Sequence, residues 1–195
     1  MNGKRPLSTA EYQKIHNYLY RHNRYRDLAM ASLCYHTGYR INEILTVQVK
    51  DVINVNGQYR NSLYISPRKM KKKSPRMPIP LREELKQDLS LLIAELRRDG
   101  DLEPERFLIQ SQKGDNRSIS YTQAYRIIVD VFDACNIFDN VAVHSFRKSF
   151  CEDIFEKSDN NIVMTQRIMG HSSPITTLKY IRVNEEKLNE IILNS

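Results

Sequence analysis

Hydrophobic positions recur with helical spacing through most of this chain. In LSTAEYQKIHNYLYRH, apolar or aromatic residues fall at Tyr12, Ile15, Tyr18 and Leu19, which puts them on one helix face. Ser8 opens the run and Glu11 follows it by three, the pattern of a capping box. RDLAMASLCYHTG is apolar almost all round and predicts a buried helix closed by Gly38 as a C-cap. A short helix is predicted from Ile41 to Leu45. LREELKQDLSLLIAELRRDG is amphipathic and ends near Gly100. SYTQAYRIIVDVFDAC, HSFRKSFCEDIFEKS and NIVMTQRIMG predict further helices, the last stopped by Gly170, and NEEKLNEIILN predicts a terminal amphipathic one.

Between Val47 and Pro80 the period changes. NVNGQYRNSLYIS carries an Asn-Gly turn signal, and RMPIP is too proline-rich for a helix. The stretch predicts a small antiparallel sheet of two or three strands at about 47–80, with a basic loop from about Pro67 to Pro75. RFLIQS reads as a short extended segment. The fold class that follows is mainly α (α+β), helical with a small β insert.

With 195 residues the chain can bury a core without staples, as one good-sized domain or two small ones. Lys+Arg number 30 against 23 Asp+Glu, so the net charge is +7, a sign that suits a polyanionic partner. Its distribution says more. No acidic residue occurs from Val52 to Arg82, while Arg60, Arg68, Lys69, Lys71, Lys72, Lys73, Arg76 and Arg82 all fall there. A solvated loop and a phosphate-facing one both fit that run. Cys34, Cys135 and Cys151 are widely spaced and odd in number, which argues against a disulfide framework, and no CxxC suggests zinc. No 18-residue apolar run or signal peptide appears, so a reducing, cytosolic setting without membrane contact is the expectation.

Several places combine cations or imidazoles with defined local geometry. In HTGYRINEIL, Arg40 stands at the gap between two predicted helices, where it serves either a surface salt bridge or a bidentate phosphate contact. In VHSFRKSF, His144 and Arg147 are three apart at a helix start and share one face. That helix end already favours an anion; a capping histidine and a solvent-facing arginine are the plainer reading. In MGHSSPITTLKYIRV, His171 occupies a turn and Tyr180 follows nine positions later, either half buried in an amphipathic helix or chemically used. A lysine at the tip of the basic hairpin can reach a backbone phosphate and protonate a leaving oxygen when neighbouring cations lower its pKa.

Taken in order, Arg, hairpin Lys, His-x-x-Arg, Gly-His and Tyr are far more specific than any one of them. TGYRINEILTVQVKDV, LYISPRK…RMPIPL, VHSFRKSF and MGHSSPITTLKYIRV resemble the catalytic domain of tyrosine recombinases, the phage integrase family, over roughly Pro6 to Val183. The resemblance implies the helical fold of DNA breaking-rejoining enzymes and a single catalytic domain over 1–195, without the N-terminal core-binding domain that usually precedes it. It implies that Tyr180 attacks a scissile phosphate to form a 3′-phosphotyrosine, that Arg40 and Arg147 grip the non-bridging oxygens, and that His144 and His171 assist. The loop is longer and more basic than the family's usual one. Matching LYISPRK selects Lys69 as the catalytic lysine, whereas counting back from Pro80 selects Lys72. Arg68, Lys71, Lys72, Lys73 and Arg76 are then expected to bind DNA.

No metal, cofactor or ATP is implied. Double-stranded DNA is the implied partner, with a homotetramer on DNA, a monomer when free, and accessory DNA-bending proteins. Residues 184–195 are a candidate helix docking on a neighbouring protomer, and the implied location is cytoplasmic, with the nucleoid. Two rival readings are a non-catalytic DNA-binding protein of this fold and a type IB topoisomerase-like DNA-relaxing enzyme. Retention of every reactive group argues against the first; the short chain and the histidine of GHSS argue against the second.

Overall fold

The computed structural model describes residues 4–66, 76–112, 115–181 and 193. Lys69, the alternative Lys72, and Arg68, Lys71 and Lys73 lie outside the described residues, as does all of the tail from 184 to 195 except Leu193.

The chain opens with α1 (Thr9–Arg21), set by a capping box: the Glu11 amide donates to Ser8 Oγ, and the Ser8 amide donates to Glu11 Oε2 at 2.8 Å. Its buried face is Tyr12, Ile15 and Leu19, three of the four periodic positions of the sequence, with Tyr18 half-buried beside them. Next, α2 (Tyr25–Thr37) forms the centre of the molecule. Leu28, Ala29, Met30, Ala31 and Leu33 are all buried, and the helix packs on α1, on α5 (Glu83–Arg98) and on α7 (His144–Lys157). Burying each large aliphatic of this helix contributes about 1.5–3 kcal/mol. Asp88 ties α1, α2 and α5 together: Ser32 Oγ donates to it at 2.6 Å, and His16 Nε2 lies 2.8 Å from its other oxygen.

α2 ends where glycine is required. Gly38 adopts φ +59°, and a Cβ there would collide with the Phe150 ring. The chain then enters α3 (Ile41–Ile44) and α4 (Val49–Val52). The second of these departs from the expected sheet. The Gln48 amide donates to Asp51 Oδ2 at 2.9 Å, and this local cap closes a helical turn where alternation alone suggests a strand. The sheet itself is small: β1 (Ser62–Leu63) pairs antiparallel with β2 (Ile79–Pro80), Leu63 opposite Ile79. A bridge between Ile53 and Tyr59 closes the Asn-Gly turn, and Phe107 of RFLIQS bridges Gln48.

α6 (Tyr121–Ala134), α7, α8 (Ile162–Met169) and α9 (Pro174–Leu178) complete the described order. α8 closes as α2 does, on a glycine at positive φ, Gly170 at +62°. All seven non-glycine residues described at positive φ are Asn or Asp, the types whose short polar side chains tolerate that region. No described helix is long and apolar enough to cross a membrane.

One expectation is corrected here. Arg76, expected with the loop cations to bind DNA, is only 5% exposed. Its Nε donates to the Ile168 carbonyl at 2.6 Å and its Nη2 to the Thr37 carbonyl, so the side chain turns inward instead of facing solvent. The two carbonyls belong to helix carboxyl ends, whose partial negative charge favours a cation.

Candidate active site

Four segments meet at one place: the exit of α2, the start of α7, the exit of α8 and the turn after α9. Each position follows from local chain chemistry. His144 is the first residue of α7, and Arg147, three residues on, projects from the same face. His171 follows the glycine cap of α8. α9 is started by Ser173, whose hydroxyl accepts from the Ile175 amide, with Pro174 at the favoured first position. Its last turn brings Tyr180 back, the amide bonded to the Thr177 carbonyl.

The Tyr180 hydroxyl lies 2.6 Å from His144 Nε2, with the two rings edge to face at 5.1 Å. The His171 ring lies 4.8 Å from that of Tyr180, and the Arg147 guanidinium carbon sits 5.9 Å from the Tyr180 ring centre. Arg147 is 2% exposed. It donates to the Gly38 carbonyl and, at 2.9 Å, to the Met169 carbonyl, so it is held by the negative ends of α2 and α8. Its Nη2 also lies 3.1 Å from His171 Nε2. A guanidinium can only donate, so His171 Nε2 carries no proton, and Nδ1–H donates to Thr177 Oγ1 at 2.9 Å. The tautomer of His171 is thereby fixed from both sides.

Arg40 caps α3 and pairs with Glu43 at 3.2 Å, with 40% of its side chain exposed. The salt-bridge reading of Arg40 is met, and the side chain also faces the site. The pair exists, and the Arg40 charge also depresses the pKa values of Arg147, His144 and His171, so its guanidinium belongs to the same pocket. His171 is held down to about 3, first by burial and then by Arg147, Arg40 and Arg76. His144 falls to about 4, first through desolvation of its ring and then through Arg147, Arg40 and Lys148. Both imidazoles are neutral at pH 7. A neutral imidazole beside a phenol can take its proton.

Arg40, His144, Arg147, His171 and Tyr180 are thus brought together from the sequence candidates. Arg76 joins them from behind, not as a surface contact. Three further residues escape a motif reading. Glu43 orients Arg40 and is legible as an i,i+3 charge pair. Thr177 orients His171, a pairing for which the sequence holds no signal. Lys148 is four residues from His144 on the same face of α7, and its Nζ lies 6.0 Å from the Tyr180 ring centre. Among the described residues, no group of three or more His, Cys, Asp or Glu is arranged to hold a metal ion.

Residues 5–187 match the Phage integrase family. The chain is 32% identical over 179 residues to the probable integrase/recombinase YoeC of Bacillus subtilis (strain 168), covering 92% of this chain and 89% of that protein. It superposes on a crystal structure of XerA recombinase with a TM-score of 0.76 at 22% identity, covering all of this chain and 66% of that one. XerH site-specific recombinase bound to palindromic difH substrate, in a post-cleavage complex, gives 0.75 at 23% identity, covering 98% of this chain and 53% of that one. At these identities the superpositions establish the fold, and the chain spans half to two thirds of those two proteins.

Proposed function

Because this chain belongs to the phage integrase family, we propose that it is a site-specific tyrosine recombinase that cleaves and rejoins duplex DNA through Tyr180. The observation that carries this reading is the 2.6 Å contact between the Tyr180 hydroxyl and a neutral His144 imidazole, beside Arg147, His171 and Arg40. The phenol proton passes to His144 Nε2 as the phenolate oxygen bonds to phosphorus. The P–O5′ bond breaks, leaving a 3′-phosphotyrosine and a 5′-hydroxyl. The departing oxygen takes a proton from a general acid, for which Lys69 is our assignment and Lys72 the alternative. Rejoining runs the same steps backwards with a 5′-hydroxyl from either strand, and the ester conserves the bond energy.

Arg40 and Arg147 stabilise charge that grows on the non-bridging oxygens in the transition state. Arg147 is buried under Tyr180, so the scissile phosphate enters as that ring lifts. The positive charge needed is supplied by side chains, so cleavage is expected to proceed in EDTA and without ATP. We also propose that the unit 1–195 acts as the catalytic domain, and that residues 184–195 pack on a neighbouring protomer of a tetramer on DNA. The Tn1549 transposon integrase in complex with a circular intermediate DNA supports DNA as the partner.

The test is a nicked suicide duplex carrying the recombination site, incubated with the protein and resolved by denaturing gel. A covalent adduct is expected from the wild type and none from Tyr180→Phe, which keeps DNA binding. An adduct formed by Tyr180→Phe would reassign the nucleophile.

A further inference from the structure

Two buried arginines span the same gap. Arg147 bridges the Gly38 and Met169 carbonyls. Arg76 bridges the Thr37 and Ile168 carbonyls, one residue earlier on both sides. Each therefore ties the carboxyl end of α2 to that of α8. Those ends are where the chain turns through Gly38 toward Arg40 and through Gly170 toward His171. The Arg76 stem packs against Gly170, where an added Cβ would stand 3.2 Å from its Cβ and Cγ. Its guanidinium lies over the Tyr39 ring, 4.1 Å from the centre, with Phe150 at 5.8 Å. It thus touches both neighbours of Gly38, and Gly170 itself.

This arrangement is costly as mere packing. Arg76 is 95% buried, its Nη1 has no partner among the described residues, and Arg147 lies close enough to act as a like charge. An apolar side chain of similar volume would fill the space without those penalties. What an apolar residue cannot do is make two directed bonds that fix the separation of two helix ends.

We propose that Arg76 is a positioning residue for strand cleavage: it holds the ends of α2 and α8 at the spacing that sets Arg40 and His171 on one phosphate. This rests on the reading of the site as a DNA-cleaving centre. Arg76 acts through the Thr37 and Ile168 carbonyls and not through the phosphate, so its loss should change the rate of cleavage and leave DNA affinity alone. The expectation from sequence, a loop arginine on DNA, predicts the opposite division.

Single-turnover cleavage of the nicked duplex by wild type, Tyr180→Phe, Arg76→Gln and Arg76→Lys separates these outcomes. A wild type that yields no Tyr180-dependent adduct would sink the cleavage reading, and this proposal with it. Given that adduct, Arg76→Gln is expected to react to full amplitude with a rate lowered on the order of 100-fold, the usual cost of small misplacement. Arg76→Lys keeps the charge and can bond one carbonyl, so it should recover part of the rate. Dissociation constants and their salt dependence should match the wild type for both. Wild-type rates in both variants would overturn the proposal. So would weaker binding with a salt slope reduced by about one, which marks a direct phosphate contact. A lower amplitude at unchanged rate, the mark of packing alone, would overturn it too. If Arg76→Gln does not fold, Arg76→Lys decides: a wild-type rate there refutes the need for a double bridge.

Discussion

Gly38→Ala offers the sharpest test of how the fold builds the site, because two independent costs meet at that residue. The first is conformational. At φ +59° an L side chain costs about 1–2 kcal/mol, partly offset by about 0.4–1 kcal/mol from a stiffer unfolded chain. The second is steric. The new Cβ would overlap the ring of Phe150, and overpacking of this kind costs about 1–3 kcal/mol. Together they give about 2–4 kcal/mol. Gly170→Ala shares the first cost, φ being +62°, but its Cβ would meet the flexible stem of Arg76 at 3.2 Å, so about 1 kcal/mol is expected. For a chain of 195 residues, 1 kcal/mol moves the thermal midpoint by about 2–4 °C. Urea unfolding of both variants measures the difference directly. The double variant Gly38→Ala/Phe150→Leu supplies the control, since trimming the ring should return part of the steric cost as a favourable coupling. Equal losses in the two single variants, with no coupling to Phe150→Leu, would refute the steric account. Because the Gly38 carbonyl also accepts from Arg147, cleavage by Gly38→Ala should fall even where the protein is fully folded.

Arg40→Ala should lower cleavage by about 10²–10³-fold with little change in melting, since its half-exposed ion pair is worth at most about 1 kcal/mol. Arg147→Ala should lose cleavage to at least that extent and also melt earlier, because the Gly38 and Met169 carbonyls lose their donor. If Lys69 protonates the leaving oxygen, a 5′-bridging sulfur substrate should rescue Lys69→Ala; rescue confined to Lys72→Ala would move the role. Histidines 36, 144 and 171 have folded pKa values lowered from 6.5 to about 4, 4 and 3. Protons then bind the unfolded chain first, so stability is complete above about pH 6.5 and is lost as pH falls toward 4. The urea midpoint measured from pH 7 to 5 should drop, and less so in His144→Asn; the Glu11 carboxylate, held at about 2, keeps its full contribution across that window and loses it only at lower pH. Truncation after Val183 should leave the melting midpoint nearly unchanged while reducing cleavage of paired sites; failure to fold would put the tail in its own core.

What the sequence determined by itself was most of what is set within about four residues, the Gln48–Asp51 cap of α4 being the exception. The Ser8–Glu11 box, the faces of α1 and α5, the glycine ends of α2 and α8, and the shared face of His144 and Arg147 depend on backbone geometry and short-range hydrogen bonds. All of them stand in the structure as the residue pattern predicts. The order of reactive residues was also readable and pointed to the family. What tertiary packing decided was every relation across the chain. Tyr180 and His144 are 36 residues apart, and only the packing of α8 on α7 and of α9 on α8 makes their contact 2.6 Å. The tautomer of His171 depends on Arg147 on one side and Thr177 on the other. Arg76 reads as one more loop cation, since charge composition carries no information on which way a side chain turns. Its inward course depends on two helix ends, contributed by residues 39 and 92 positions away, that leave carbonyls needing a donor. A local pattern specifies what a segment can form; where its side chains terminate is fixed by the partners that packing brings within reach.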